Sequence, residues 1–211
     1  MRNLFLICAF LLTTLHSRAQ YPGYSALKDV NAFKSAFAEA SQKTTSIKCD
    51  FIQEKNLSLL ADKIVSRGKF WFRKENRVRM EYTRPFQYLM IINGDNIYVK
   101  DSQKENKISA KSNKLFQQIN KIIIDCVNGQ ALESSEFNSR IFEGKENYLV
   151  ELTPLNKNLR ALFKNINVIV EKKSYGVTGL EMLEPSGDNT TIQFNNRQLN
   201  TTIPDALFAI H

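Results

Sequence analysis

The chain offers little that could do covalent chemistry: two histidines, three cysteines and a scatter of carboxylates. His16 and His211 stand near opposite ends, so no internal histidine is available to activate a serine or cysteine nucleophile. Cys8, Cys49 and Cys126 have spacings that match neither zinc-ligand nor thiol-redox patterns. The glycines are isolated at turns and build no phosphate loop. Glu181 and Glu184 are a carboxylate pair of the kind glycosidases use, yet nothing around them positions them for acid–base work. Asn56-Leu57-Ser58, Asn189-Thr190-Thr191 and Asn200-Thr201-Thr202 fit the glycosylation pattern, which matters only in a eukaryotic secretory setting. These absences argue against an enzyme, and against a metal or other cofactor.

The residues that are abundant are greasy ones, and they must be placed by the elements that carry them. Arg2 followed by the apolar run Leu4–Leu15 reads as an export signal, with Ser17-Arg18-Ala19 as its cleavage site and Gln20 as the mature N-terminus. The apolar run is shorter than the ~20 residues a spanning helix needs. A periplasmic protein is therefore expected, with residues 1–19 as signal and 20–211 as one domain. The formal net charge of +8 falls by two when Arg2 and Arg18 leave with the signal. Its basic residues are dispersed, which suits a solvated surface better than nucleic-acid binding. Cys49 and Cys126 lie on apolar faces, where buried free thiols are the default. A bridge between them stays open as the alternative.

Ser25 is a candidate cap for a helix reaching Lys43, with Leu27, Val30, Phe33 or Phe37, and Ala40 along one stripe. Beyond Thr45 the period changes to two. Ile47, Cys49 and Phe51 alternate with Lys48 and Asp50, and strands follow at Ile64–Arg73, Arg77–Thr83, Gln87–Ile92 and Asn96–Asp101. Asn93-Gly94-Asp95 is a hairpin signal. A second helical stripe runs through Leu115, Ile119, Ile122, Ile123 and Cys126. Strands resume at Phe137–Phe142, Tyr148–Thr153, Ile166–Glu171, Val177–Leu183 and Thr190–Phe194, with a helical turn near Leu159–Phe163. The pattern predicts a mainly β (α+β) fold: a strongly curved antiparallel sheet, or unclosed barrel, with helices over its concave face. Phe70, Phe72, Met80, Tyr82, Leu89, Ile91 and Met182 are candidates for the inward side, as a packed core or as the wall of a cavity.

Several short signatures appear in a familiar order. Asp50-Phe51-Ile52-Gln53, Gly68-Lys69-Phe70-Trp71-Phe72, Arg79-Met80-Glu81-Tyr82-Thr83-Arg84-Pro85 and Ile92-Asn93-Gly94-Asp95-Asn96-Ile97-Tyr98 come in turn, and Asn200, Ile203-Pro204-Asp205 and Phe208 close the chain. Together they resemble the LolA family of periplasmic carriers of outer-membrane lipoproteins. The resemblance implies an unclosed barrel whose hydrophobic cavity shields acyl chains in transit. It implies an acylated lipoprotein or other lipid cargo, an inner-membrane ATP-driven exporter as donor and an outer-membrane acceptor. Where that family has a lid-closing arginine, this chain offers Arg73 or Lys74.

The expected function is thus a non-enzymatic, monomeric carrier. Its cavity wall is assigned to Phe51, Phe70, Phe72, Val78, Met80, Tyr82, Leu89, Ile91, Ile97 and Val99. The lid is assigned to Phe33, Phe37, Leu115, Ile119, Ile122 and Ile123. Shielding a tail needs only apolar area, at about 0.8 kcal/mol per buried methylene. The alternatives are an envelope sensor that uses the curved sheet as a binding platform, or a carrier of a different lipid.

Overall fold

A computed structural model describes residues 21–59, 63–101, 105–109, 122, 125, 130–132 and 134–210. In chain order the elements are β1 (Ser25–Ala26), α1 (Val30–Lys43), β2 (Ser46–Asn56), β3 (Lys63–Arg73), β4 (Arg77–Arg84), β5 (Tyr88–Asn93), β6 (Asn96–Asp101) and β7 (Glu105–Ser109). Then come β8 (Phe137–Glu143), β9 (Asn147–Pro154), α2 (Lys157–Leu162), β10 (Asn165–Glu171), β11 (Val177–Leu183) and β12 (Asn189–Leu199).

Two antiparallel meanders, β2 to β7 and β8 to β12, join edge to edge where β12 pairs with β2. The result is one curved, unclosed antiparallel sheet with β1 and β7 at its two borders. The predicted fold class is therefore the observed one. Two strands, β1 and β7, escape the sequence pattern. One has two residues, and the other begins Glu-Asn-Lys, which breaks apolar alternation.

The first helix begins later than its stripe suggests. Asp29 is the N-cap, its Oδ1 accepting from the Ala32 amide at 2.9 Å. Ser25 instead belongs to β1 and pairs with Glu143, so the chain runs along the sheet edge before it turns into the helix. At the other end, Thr44 closes α1 and Thr45 leads straight into β2. The predicted turn near Leu159 is α2, capped by Asn156, whose Oδ1 accepts from Leu159 N at 2.8 Å.

Cross-strand partners share a face, so the registers decide which side chains look inward. Phe51 faces Gly68, Cys49 faces Phe70, Phe70 faces Met80 and Phe72 faces Val78. Met80 in turn faces Met90, and Ile92 faces Ile97. Across the seam Phe194 faces Phe51, and Leu180, Val168 and Val150 continue the row through the second meander. Gly68 is glycine for a steric reason. A Cβ there would sit 2.1 Å from the Glu81 carbonyl oxygen and 2.6 Å from the Phe51 ring.

Candidate functional site

The inner face is one continuous apolar surface drawn from both meanders. Phe51, Phe70, Phe72, Val78, Met80, Met90, Ile92 and Ile97 join Val150, Leu152, Ile166, Val168, Val170, Leu180 and Ile192 in a single buried cluster. Tyr82, Tyr88, Val99, Met182 and Phe194 pack against it while partly buried. Two aromatic runs organise this wall. Tyr82 stands edge-on to both Phe51 (4.9 Å) and Tyr88 (5.5 Å), and Phe70 leans on Phe194 at 5.5 Å. Burial raises the Tyr82 phenol well above its usual range, and its hydroxyl donates to Gln53 Oε1 at 2.8 Å.

Over this wall α1 sets Phe33 and Phe37, each 3% exposed and stacked on one another at 5.6 Å. Phe33 also meets Tyr148 edge-on at 4.7 Å and Tyr175 at 5.9 Å. Ile122, helical and buried, belongs to the same cluster, together with Ala131 and Leu132. The other residues assigned to the lid, Leu115, Ile119 and Ile123, lie outside the described residues.

Eight of the ten residues assigned to the wall thus share the inner face: Phe51, Phe70, Phe72, Val78, Met80, Tyr82, Ile97 and Val99. Leu89 and Ile91 do not. They pair with Glu81 and Arg79, which places them on the outer face, and the inward residues of β5 are Tyr88, Met90 and Ile92. Ile91 packs instead in a second cluster with Trp71, Tyr98, Ile203 and Phe208, against which Leu89, Leu207 and Ile210 rest. The segment 203–210 lies on the outer face as a strap and gives those side chains cover.

Arg73 is committed to the same strap. Its Nη1 donates to Ile203 O at 2.8 Å, its guanidinium pairs with Asp205, and it lies 5.3 Å over the Phe208 ring. Arg77 reaches Asp205 at 2.6 Å and Arg79 reaches Leu207 O at 3.2 Å. Arg73 therefore does not serve a lid. It sits one residue past Phe72, and parity turns it outward. Lys74 contacts α1, donating from Nζ to the carbonyl of Gln42 in its last turn, where a cation complements the helix dipole.

Sequence reasoning also missed a polar row across the outer face of the second meander. Glu151, 3% exposed, accepts from Arg140 Nε at 2.8 Å and from the hydroxyl of Tyr21. That hydroxyl also lies 3.2 Å from Asn167 Oδ1, and Asn167 Nδ2 donates to Glu181 at 3.3 Å. Burial, followed by the Glu151 contact, raises the Tyr21 phenol far above its normal range. These groups line an open hollow of about 440 Å³ on the outer face. Glu181 is thus held on the outer face, while Glu184 pairs with Lys55 at 3.4 Å. The two carboxylates do not form an acid–base pair.

Cys49 is a free, buried thiol beside Phe70 on the inner face, and burial pushes it up to about 12. Cys126 lies outside the described residues. Among the described residues there is no group of three or more His, Cys, Asp or Glu side chains able to hold a metal ion.

The chain is similar to several solved structures. An uncharacterised conserved protein from Thermus thermophilus superposes with a TM-score of 0.52 at 7% identity, covering 85% of this chain and 93% of that one. A LolA superfamily protein from Nitrosomonas europaea gives 0.45 at 11% identity, over 85% of this chain and 96% of its own. The Mycobacterium tuberculosis lipoprotein LppX gives 0.48 at 11% identity, over 83% and 99%. No curated protein sequence matches the chain. The sequence profile of the family described as outer membrane lipoprotein carrier protein LolA matches residues 42–211, from the end of α1 through the strap. The chain belongs to the LolA family.

Proposed function

We propose that this protein is a periplasmic carrier that holds the acyl chains of lipoproteins against the inner face of its sheet and shuttles them towards the outer membrane. One observation carries the reading: a single apolar wall spans both meanders, far broader than the stripe that α1 lays upon it. Among the residues of α1, only Phe33, Phe37 and Ser41 are fully buried. A hydrocarbon tail needs such a surface and no directional chemistry. Holding it calls for no nucleophile, metal or cofactor.

In the conformation described, the wall is covered. Cargo therefore takes the place of what covers it, and α1, which lays Phe33 and Phe37 on the wall, is the part that shifts. Lys74, bonded to the end of α1, acts as its tether in the closed form. Loading and release then follow from the different affinities of closed and open forms for a tail. An ATP-driven exporter at the inner membrane is the donor, and a site at the outer membrane is the acceptor.

Native mass spectrometry of the protein purified from its own cell envelope tests the reading. The carrier predicts co-purifying species with the mass of a lipoprotein or lipid. A stable protein partner with no acyl-bearing species would overturn it in favour of a binding platform.

A further inference from the structure

We propose that one end of the sheet is a docking edge for anionic lipid membranes. Because the strands are antiparallel, the connections β2–β3, β4–β5, β9–α2 and β11–β12 all lie at the same end. Five large apolar side chains are exposed among the described residues, and four belong to this rim. Leu59 is 95% exposed, Phe86 72%, Leu155 53% and Ile64 43%. They come from three separate connections, so no single loop explains their gathering. The fifth, Leu199 at 40%, is at the opposite end, where the turns 74–76, 94–95, 144–146 and 172–176 are polar apart from Tyr175.

Charge at the rim points to the occupant. Arg67 and Arg84, paired across β3 and β4, flank Phe86, while Lys157, Arg160 and Lys164 flank Leu155. All five are exposed. Among the described residues, Glu54 is engaged by Lys63 at 2.7 Å, Glu184 by Lys55 at 3.4 Å, and Asp188 by the amide and hydroxyl of Ser58, each at 2.8 Å. Isolated apolar tips set among cations match the interface of a bilayer. The tips enter the acyl boundary while the basic groups meet anionic headgroups. A protein partner would call for a contiguous apolar patch, whereas these four side chains come from three connections and are accompanied by five exposed cations. This docking rests on exposure and charge alone and stands apart from the cargo reading.

The test places a tryptophan reporter at each end of the full chain, by Phe86→Trp and by Lys145→Trp. Lys145 is exposed on the β8–β9 turn. Vesicles of phosphatidylcholine with phosphatidylglycerol should shift Phe86→Trp emission to the blue, brominated lipid should quench it, and added salt should reverse both. Lys145→Trp should stay silent. The apolar run Leu4–Leu15 is common to both reporters, so position dependence isolates the rim. A Phe86→Ser/Leu155→Ser double variant should partition about tenfold less strongly. No response from Phe86→Trp, an equal response from Lys145→Trp, or equal binding to phosphatidylcholine alone overturns the proposal. The substituted side chains are exposed, and a far-ultraviolet spectrum matching the unaltered chain confirms that each variant is folded.

Discussion

Replacing Phe208 by alanine removes the side chain that seats the C-terminal strap on the outer face. Phe208 is fully buried, with Trp71, Ile91, Tyr98 and Ile203 in its cluster. A buried aromatic withdraws roughly 150–250 Å² from water, which at about 25 cal/mol per Å² is about 4–6 kcal/mol. Partial collapse of the strap into the space brings the expected loss to about 3–5 kcal/mol. Arg73, Arg77 and Arg79 still hold Asp205 and the strap carbonyls, so the segment loosens without leaving the sheet. The assay is urea unfolding followed by the fluorescence of Trp71, the only tryptophan, which is 8% exposed beneath the strap. The variant should unfold at lower urea, and its native emission should shift to the red. Lipid occupancy should be retained, because the inner wall is on the other side of the sheet. A loss below about 1 kcal/mol with unshifted emission would refute the placement of the strap.

Gly68→Ala should cost about 1–3 kcal/mol or more by overpacking. Phe51→Ala should not rescue it, because the nearer clash is with the Glu81 carbonyl; full recovery in urea unfolding would contradict this. Asp29→Ala should cost about 0.5–2 kcal/mol and speed hydrogen exchange in the first turn of α1. Unchanged protection of Ala32 and Phe33 would count against the cap. Cys49 should resist alkylation at pH 8 in the native protein and react after unfolding, read by peptide mapping. Its folded value, about 12, exceeds the ordinary 9.0, so its share of stability is complete below pH 9 and lost as pH rises towards 12. A native thiol that reacts at the unfolded rate, or stability that is flat across that range, would contradict its burial.

How much of this was legible in the sequence depended on whether both faces of a strand had different surroundings. In β4, Arg77, Arg79 and Glu81 alternate with Val78, Met80 and Tyr82, so the inward face reads directly. In β5, Tyr-Leu-Met-Ile-Ile is apolar throughout, and either parity looks equally good. What settles it is pairing with β4, together with a covering segment more than a hundred residues away in sequence. The contacts of Arg73 are hidden in the same way: its partners Ile203 and Asp205 are remote, and no local spacing announces them. The row of Tyr21, Glu151 and Asn167 was invisible because its members lie on three segments and look like ordinary surface residues until burial is known. Gly68 needed the fold too, since only the packing of Phe51 and the β4 backbone explains it.

The position of a guest's hydrocarbon on this sheet decides between a carrier and a binding platform. A palmitoylated peptide with a photoreactive group at the end of its tail, bound to the unaltered protein and irradiated, reports this by mass spectrometry of the linked peptides. A tail held on the inner wall should link to residues such as Met80, Tyr82, Met90, Val99 and Phe194. Links confined to outer-face residues such as Trp71, Leu89 and Leu207, or no links to either face, would contradict it.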